Sequence, residues 1–90
     1  MLEVKPPCTG KDVVTHVLKC DSNAFWFVHT GEKRAEFRKN DRGYKLYDRL
    51  LLCEYKNGRV TGNKLLCEIT HIQTGYGIPD GYAMISLHLL

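Results

Sequence analysis

The side chains best suited to chemistry lie in one charged run, residues 31–42, which carries five basic and three acidic residues. Arginine can make paired hydrogen bonds to phosphate or carboxylate, whereas lysine supplies a mobile point charge. The run therefore predicts a grip on an anionic ligand. The candidate binding residues are Lys33, Arg38, Lys39, Asn40 and Arg42. The alternative is a solvated face on which cations and carboxylates form individually weak ion pairs.

Glu36 lies at the centre of this run and has two possible roles. As a general base it could activate water for hydrolysis, with Lys33 beside it and Arg38 stabilising negative charge. We expect Arg34 and Arg38 to flank Glu36 on one strand face, and two cations make a carboxylate a weaker base. The alternative is that Glu36 only holds Arg38 in position. No serine or threonine near Lys33 offers a convincing nucleophile, since Thr30 precedes the helix stop, and this favours binding over catalysis.

The elements that must position these side chains can be predicted from hydrophobic spacing and turn residues. Asp21 or Ser22 can cap a helix over residues 23–30, and Gly31 supplies the left-handed residue that ends it. A strand over residues 34–38 follows directly. Asn40 and Asp41 are suited to turn hydrogen bonds or to contacts with a base edge. The other predicted strands are residues 13–19, 50–55, 64–72 and 82–89, with an Asn57-Gly58 turn and Gly62 in the loop between the third and fourth strands.

This order predicts an α+β fold, a small mixed β-barrel of about five strands that is partly open and has one main helix. Residues 1–12 are predicted to form an N-terminal arm and residues 13–90 the single domain. The net charge of +3 permits nucleic-acid binding without requiring it. The chain shows no signal peptide and no apolar stretch long enough to cross a membrane, so we expect a cytoplasmic protein.

Cysteines and histidines show no metal-ligand spacing, and neither a metal nor a cofactor is expected. Free thiols are the simplest interpretation of the cysteines, with Cys53 and Cys67 as small core residues. Trp26 is predicted to lie in the core. The tyrosines lie in or beside predicted loops, where a base could stack on one of them or where they could pack half-buried. The four cysteines are Cys8, Cys20, Cys53 and Cys67, the histidines His16, His29, His71 and His88, and the tyrosines Tyr44, Tyr47, Tyr55, Tyr76 and Tyr82.

The pattern Gly31-x-Lys33-x-x-x-x-Arg38 resembles the GxKxxxxR signature of ASCH domains, which belong to the PUA-like superfamily of small β-barrels. The extension Arg38-Lys39-Asn40-Asp41-Arg42 is similar to one found in a small branch from bacteria and their phages. Further similar pieces are Thr15-His16-Val17-Leu18-Lys19, Tyr47-Asp48-x-Leu50, Glu54-Tyr55, Thr61-Gly62 and Asp80-Gly81-Tyr82.

The resemblance implies a PUA-like barrel whose cleft, beside the helix and the GxKxxxxR strand, binds RNA or a nucleotide-like ligand. Some ASCH relatives are amidohydrolases on acetylated cytidine that use a lysine, a threonine three positions later and a distant glutamate. Lys33 matches the lysine, but Glu36 occupies the place of the threonine, and a carboxylate cannot replace a hydroxyl nucleophile in acyl transfer. Glu68 and Asp80 cannot be matched to the distant glutamate.

The predicted function is therefore an RNA- or nucleotide-binding module that uses a basic cleft. The alternatives are a hydrolase of ASCH type, acting on modified cytidine or an RNA phosphodiester through Lys33, Glu36 and Arg38, and a phage-encoded protein that binds a host protein. No membrane partner is expected, and the oligomeric state is left open by the sequence.

Overall fold

The strands and the helix follow one another in the predicted order in the structure, a computed structural model that describes residues 13–90. The predicted arm over residues 1–12, with Cys8, lies outside the described residues. The elements are β1 (Thr15–Asp21), α1 (Ser22–Thr30), β2 (Ala35–Lys39), β3 (Arg49–Lys56), β4 (Arg59–Gln73) and β5 (Tyr82–Leu89).

The five strands form one mixed sheet in the order β1-β3-β4-β5-β2. The β1 and β3 strands pair in parallel, and the other neighbours pair antiparallel. The sheet curls into a half-barrel, and α1 contacts β1 and β3. The α+β class and the small, partly open barrel with one helix are therefore confirmed. In this order β1 and β2, the strands on either side of the helix in the sequence, are the two edges of the sheet.

Side-chain alternation along β1 places the core on one face of the sheet. His16, Leu18 and Cys20 are buried, whereas Thr15 and Val17 are exposed. The same alternation in β3 and β5 brings further apolar side chains to that face, where α1 covers part of them. The remaining core side chains are Phe25, Val28, Tyr44, Leu50, Leu52, Cys67, Ile69, Ala83, Ile85 and Leu87.

Helix α1 begins and ends at the two residues that the sequence predicts as its caps, Asp21 and Gly31. The Asp21 side chain accepts a hydrogen bond from the Asn23 amide at 3.1 Å and so caps the first turn. Gly31 adopts a left-handed conformation with φ 85°, and its amide donates to the Val28 carbonyl at 3.0 Å. The prediction that Trp26 lies in the core is wrong: Trp26 is 44% exposed, and its indole is held at the surface by a hydrogen bond to Glu54.

The hairpin between β3 and β4 is tighter than predicted. Asn57 and Gly58 both have positive φ, and Lys56 pairs directly with Arg59 across them. Two such residues make a turn whose twist matches that of the flanking strands, so pairing continues immediately. The β4 strand therefore starts at Arg59, and Gly62 lies within it rather than in a loop. The predicted last strand, residues 82–89, is confirmed.

Candidate functional site

The centre of the candidate site is the carboxylate of Glu36, which contacts two cations. The Nη1 atom of Arg38 lies 3.1 Å from Oε2, and Nζ of Lys33 lies 3.0 Å from Oε1. The Glu36 side chain is 14% exposed. Lys33 donates a hydrogen bond to the Ala35 carbonyl instead, and among residues 13–90 nothing donates one to Oε1, which is buried. Lys33 therefore pairs with Glu36 through charge, while Arg38 both pairs and donates.

The local geometry explains why Lys33, rather than Arg34, contacts Glu36. After Gly31 the Lys33 amide donates to the Phe27 carbonyl at 3.0 Å, so Lys33 still belongs to the turn that follows α1. The Arg34 Nε atom donates to the Gly31 carbonyl at 2.9 Å. The expectation that Arg34 and Arg38 flank Glu36 is therefore wrong for Arg34, whose place beside the carboxylate is taken by Lys33. Glu36 does hold Arg38, as the structural alternative for this residue predicts.

The charge of Glu36 affects the pKa values of two buried thiols on other strands of the sheet, Cys20 and Cys67. Burial raises the pKa of Cys20 on β1 to about 11, and Glu36 raises it further while Lys33 and Arg38 lower it. Burial, assisted by Glu36, raises the pKa of Cys67 on β4 to about 11 as well. Because a cysteine nucleophile must be a thiolate, neither thiol is suited to that role at neutral pH. Cys67 is a core residue as predicted, whereas Cys53 is only half-buried.

A first cavity, about 450 Å³, lies between the end of α1, the start of β2 and strands β4 and β5. The lining of this cavity combines apolar side chains with nitrogen groups that can contact an anion. The apolar side chains include Val28, Leu87 and Leu89, and the nitrogen groups belong to Lys33, Arg34 and His88. This first cavity is the one beside the helix and the beginning of the GxKxxxxR strand.

A second cavity of about 390 Å³ lies at the end of β2. The residues that line it are Phe37, Arg38, Lys39, Asp41, Arg42 and Tyr82. Phe37 and Tyr82 stack face to face, with ring centroids 5.4 Å apart and planes inclined by 14°. This second cavity thus combines three cations with a pair of parallel aromatic rings.

The predicted binding residues divide between the two cavities. Lys33 lines the first, whereas Arg38, Lys39 and Arg42 line the second. Lys33 and Arg38 contact one carboxylate but face different cavities. Asn40 lines neither of them, because its Oδ1 accepts the Tyr44 amide at 3.1 Å and its own amide donates to the Gly81 carbonyl at 2.7 Å.

Arg42 already has a structural partner. Its Nη1 atom donates to the Val17 carbonyl at 2.9 Å, so the segment after β2 is joined to the edge strand β1. Of the tyrosines, Tyr82 lines the second cavity, while Tyr44 is buried with its ring edge against His16. Tyr44 therefore packs, as the alternative for the tyrosines predicts.

A second carboxylate cluster, centred on Glu54, is absent from the sequence prediction. Glu54 is 3% exposed and accepts hydrogen bonds from four side chains. Those of Ser22, Thr61 and Asn63, with a smaller one from Trp26, lower the pKa of Glu54 from 4.5 to about 2 against the opposing effect of burial. The cluster joins the start of α1 to the β3–β4 hairpin, which makes Glu54 a structural residue.

A third polar group joins β1 to the segment before β3. His16 Nε2 lies 2.8 Å from Asp48 Oδ2, and both side chains are buried. Asp48 also accepts the amides of Val14 and Lys45. The sequence offers one indication of the Glu54 cluster and of the His16–Asp48 pair, namely the motif pieces of the family resemblance. His16 and Asp48 lie in two of these pieces, and Glu54 and Thr61 lie in two others.

Within residues 13–90 no three histidine, cysteine, aspartate or glutamate side chains are placed to hold a metal ion.

The chain belongs to the family described as "Domain of unknown function (DUF3850)", whose profile matches residues 15–87. It is similar to the "Uncharacterized 12.9 kDa protein in GpA 3'region" of Escherichia phage P2, with 44% identity over 57 residues. That alignment covers 63% of this chain and 52% of the relative, so the chain spans about half of the phage protein's length. The source of this relative, a phage, is one of the two sources expected from the resemblance. In the described part of the chain, no helix has the length and apolar character to span a membrane.

Proposed function

We propose that this protein is an RNA- or nucleotide-binding module of the ASCH type, with a PUA-like barrel. The observation that supports the proposal is the placement of five cations from one short segment. Lys33 and Arg34 line the first cavity, and Arg38, Lys39 and Arg42 line the second. The chain after the helix stop thus presents positive charge to two concave surfaces on either side of Glu36. Clusters of arginine and lysine side chains commonly bind phosphate groups.

Lys39 is the cation best placed to meet a phosphate. It is exposed, and it takes part in none of the ion pairs among residues 13–90. Arg38 and Arg42 each use Nη1 within the protein, but an arginine has five N–H donors, so others remain for a ligand. Contacts of this kind release counterions from the nucleic acid, so affinity falls steeply with salt.

The second candidate is a hydrolase in the same site, favoured by one observation. Glu36 holds a buried carboxylate oxygen 3.0 Å from the ammonium group of Lys33. Against it, Glu68 projects from β4 between the inward-facing Cys67 and Ile69, so it lies on the opposite face from the core. Glu68 therefore does not supply a second carboxylate beside Glu36. We retain binding without turnover as the proposal.

The proposed setting is the cytoplasm, which the free thiols of Cys20, Cys53 and Cys67 support.

RNA binding is tested by fluorescence anisotropy of a labelled RNA, titrated from low to physiological salt. We expect weak binding that falls steeply with salt and is reduced by Lys39→Glu. The matched control is Lys56→Glu, which changes an exposed lysine at the end of β3. Flat curves for the wild type at every salt and protein concentration would overturn RNA binding and favour the host-protein alternative.

A further inference from the structure

We propose that the second cavity is a stacking site for one unpaired base of a single-stranded nucleic acid. This inference rests on the proposed function and goes further, since it names the strand state of the ligand and the surface that reads it. The observation that carries it is the pair of stacked, solvent-accessible rings of Phe37 and Tyr82 among cations.

The two rings are held by the sheet itself and not by a mobile loop. Phe37 pairs with Met84, and Lys39 pairs with Tyr82, in the antiparallel β2–β5 ladder. Phe37 and Tyr82 are therefore diagonal neighbours on the face opposite the core. Phe37 is 49% exposed and Tyr82 is 37% exposed. Because half of the Phe37 surface is in water, a ligand that covers the ring is stabilised by burial of apolar surface.

The charges around the rings favour an anionic ligand. The wall of the cavity carries Arg38, Lys39 and Arg42 against the single carboxylate of Asp41. A basic surface beside exposed rings fits a nucleotide, because its phosphate contacts the cations while its base stacks. Asp41 takes part in none of the ion pairs among residues 13–90, and a carboxylate oxygen can accept a hydrogen bond from a base amino group.

The strand state follows from which part of a base is accessible. In a duplex the faces of the bases are stacked on one another, and only their edges reach the grooves. A ring pair can stack only on a base that has left such a stack. The cavity volume of about 390 Å³ is also at the small end of ligand pockets, which suits one base and not a helix.

The experiment compares three probes of one sequence: single-stranded RNA, single-stranded DNA and an RNA duplex, each carrying one 2-aminopurine. We expect both single strands to bind more tightly than the duplex, with quenching of 2-aminopurine fluorescence when the base stacks. Phe37→Leu should weaken single-strand binding about tenfold and abolish the quenching. The salt dependence should keep its slope, since the phosphate contacts are intact.

The matched control is Phe27→Leu, because Phe27 on α1 is 51% exposed and lines neither cavity. A melting curve accompanies each variant. If Phe37→Leu does not fold, Tyr82→Leu takes its place, with Tyr82→Phe expected to retain binding.

The outcomes separate this inference from the proposed function. Duplex binding as tight as single-strand binding, or affinity unchanged by loss of the ring, would overturn the stacking site while leaving RNA binding standing. Absence of binding to all three probes would overturn both. Tighter binding of the RNA strand than of the DNA strand would assign RNA as the ligand, and equal binding would assign single strands of either sugar.

Discussion

The Nη1 atom of Arg38 lies 3.1 Å from Oε2 of Glu36, two residues earlier on the same face of β2. A phosphate that binds Arg38 must therefore compete with a carboxylate that is already in place. Glu36 also pairs with Lys33, which lines the other cavity. One carboxylate thus restrains a cation at each cavity, and its removal should affect anion binding more than folding.

Glu36→Gln should tighten RNA binding, because the competing charge is lost while the shape is kept. We expect the free energy of unfolding to fall by about 1–3 kcal/mol, because the mostly buried Glu36 side chain loses its charge beside two cations. The measurements are anisotropy and a melting curve. Glu32→Gln, at an exposed position in the same segment, is the control.

The same variant separates a binding module from a hydrolase. Turnover of a cytidine amide and of an RNA phosphodiester is measured for the wild type and for Glu36→Gln. The proposal expects none in either protein. Turnover by the wild type that falls by about a hundredfold or more in a folded variant would instead make Glu36 a general base.

Lys39 and Arg42 should respond differently to truncation. Lys39→Ala removes a cation that takes part in no ion pair within residues 13–90, so melting should be unchanged. The negative slope of log affinity against log salt should become smaller in magnitude by about one. Arg42→Ala also removes the hydrogen bond to Val17 and should destabilise the protein by about 1 kcal/mol. Equal melting temperatures for the two variants would contradict the structural role given to Arg42.

The parts of the fold that the sequence predicts are those set by local chemistry. Asp21 and Gly31 define the ends of α1 because a capping carboxylate and a left-handed residue act within a few positions. Alternation along β1 separates its two faces for the same reason, although it does not say which of them is buried. Arg34 is expected beside Glu36 because the predicted strand begins at Arg34, but the turn after Gly31 continues to Lys33 and the strand starts at Ala35.

The contacts that the sequence did not predict join residues far apart in the chain. Asp48 is 32 residues from His16, and Glu54 is 28 residues from Trp26. Neither partner shows a local pattern that reveals the other, so the position of Trp26 on the helix predicts a core residue. Its indole N–H instead donates to the buried carboxylate of Glu54, and 44% of Trp26 stays exposed.

Asp48→Ala should destabilise the protein strongly. The buried side chain accepts two backbone amides and contacts His16, and its removal leaves these groups without a partner. The expected loss is about 2 kcal/mol or more in the free energy of unfolding, measured by urea denaturation. Asp80→Ala, at an exposed aspartate before β5, is the control. Equal losses for the two variants would show that the His16–Asp48 contact contributes little.

The buried thiols of Cys20 and Cys67 should resist alkylation at neutral pH in the folded protein. Burial raises the pKa of each to about 11, so little thiolate forms, and the reagent also lacks access. Labelling with iodoacetamide, followed by peptide mass spectrometry, should modify Cys53 before Cys20 and Cys67, because it is only half-buried. Modification of Cys20 or Cys67 as fast as that of Cys53 in the native state would contradict this order.

Glu54 should make the stability of the protein depend on pH in the acid range. Four hydrogen bonds favour its carboxylate in the folded state and lower its pKa from 4.5 to about 2. The stabilisation is therefore present above pH 4.5 and is lost as the pH falls towards 2, because protonation removes the charged acceptor. Glu54→Gln should melt at a lower temperature at neutral pH, and its melting temperature should change less across that window. Glu32→Gln, an exposed carboxylate after α1, should retain the wild-type dependence. Parallel losses in the wild type and Glu54→Gln between pH 4.5 and 2 would show that other carboxylates dominate the acid response.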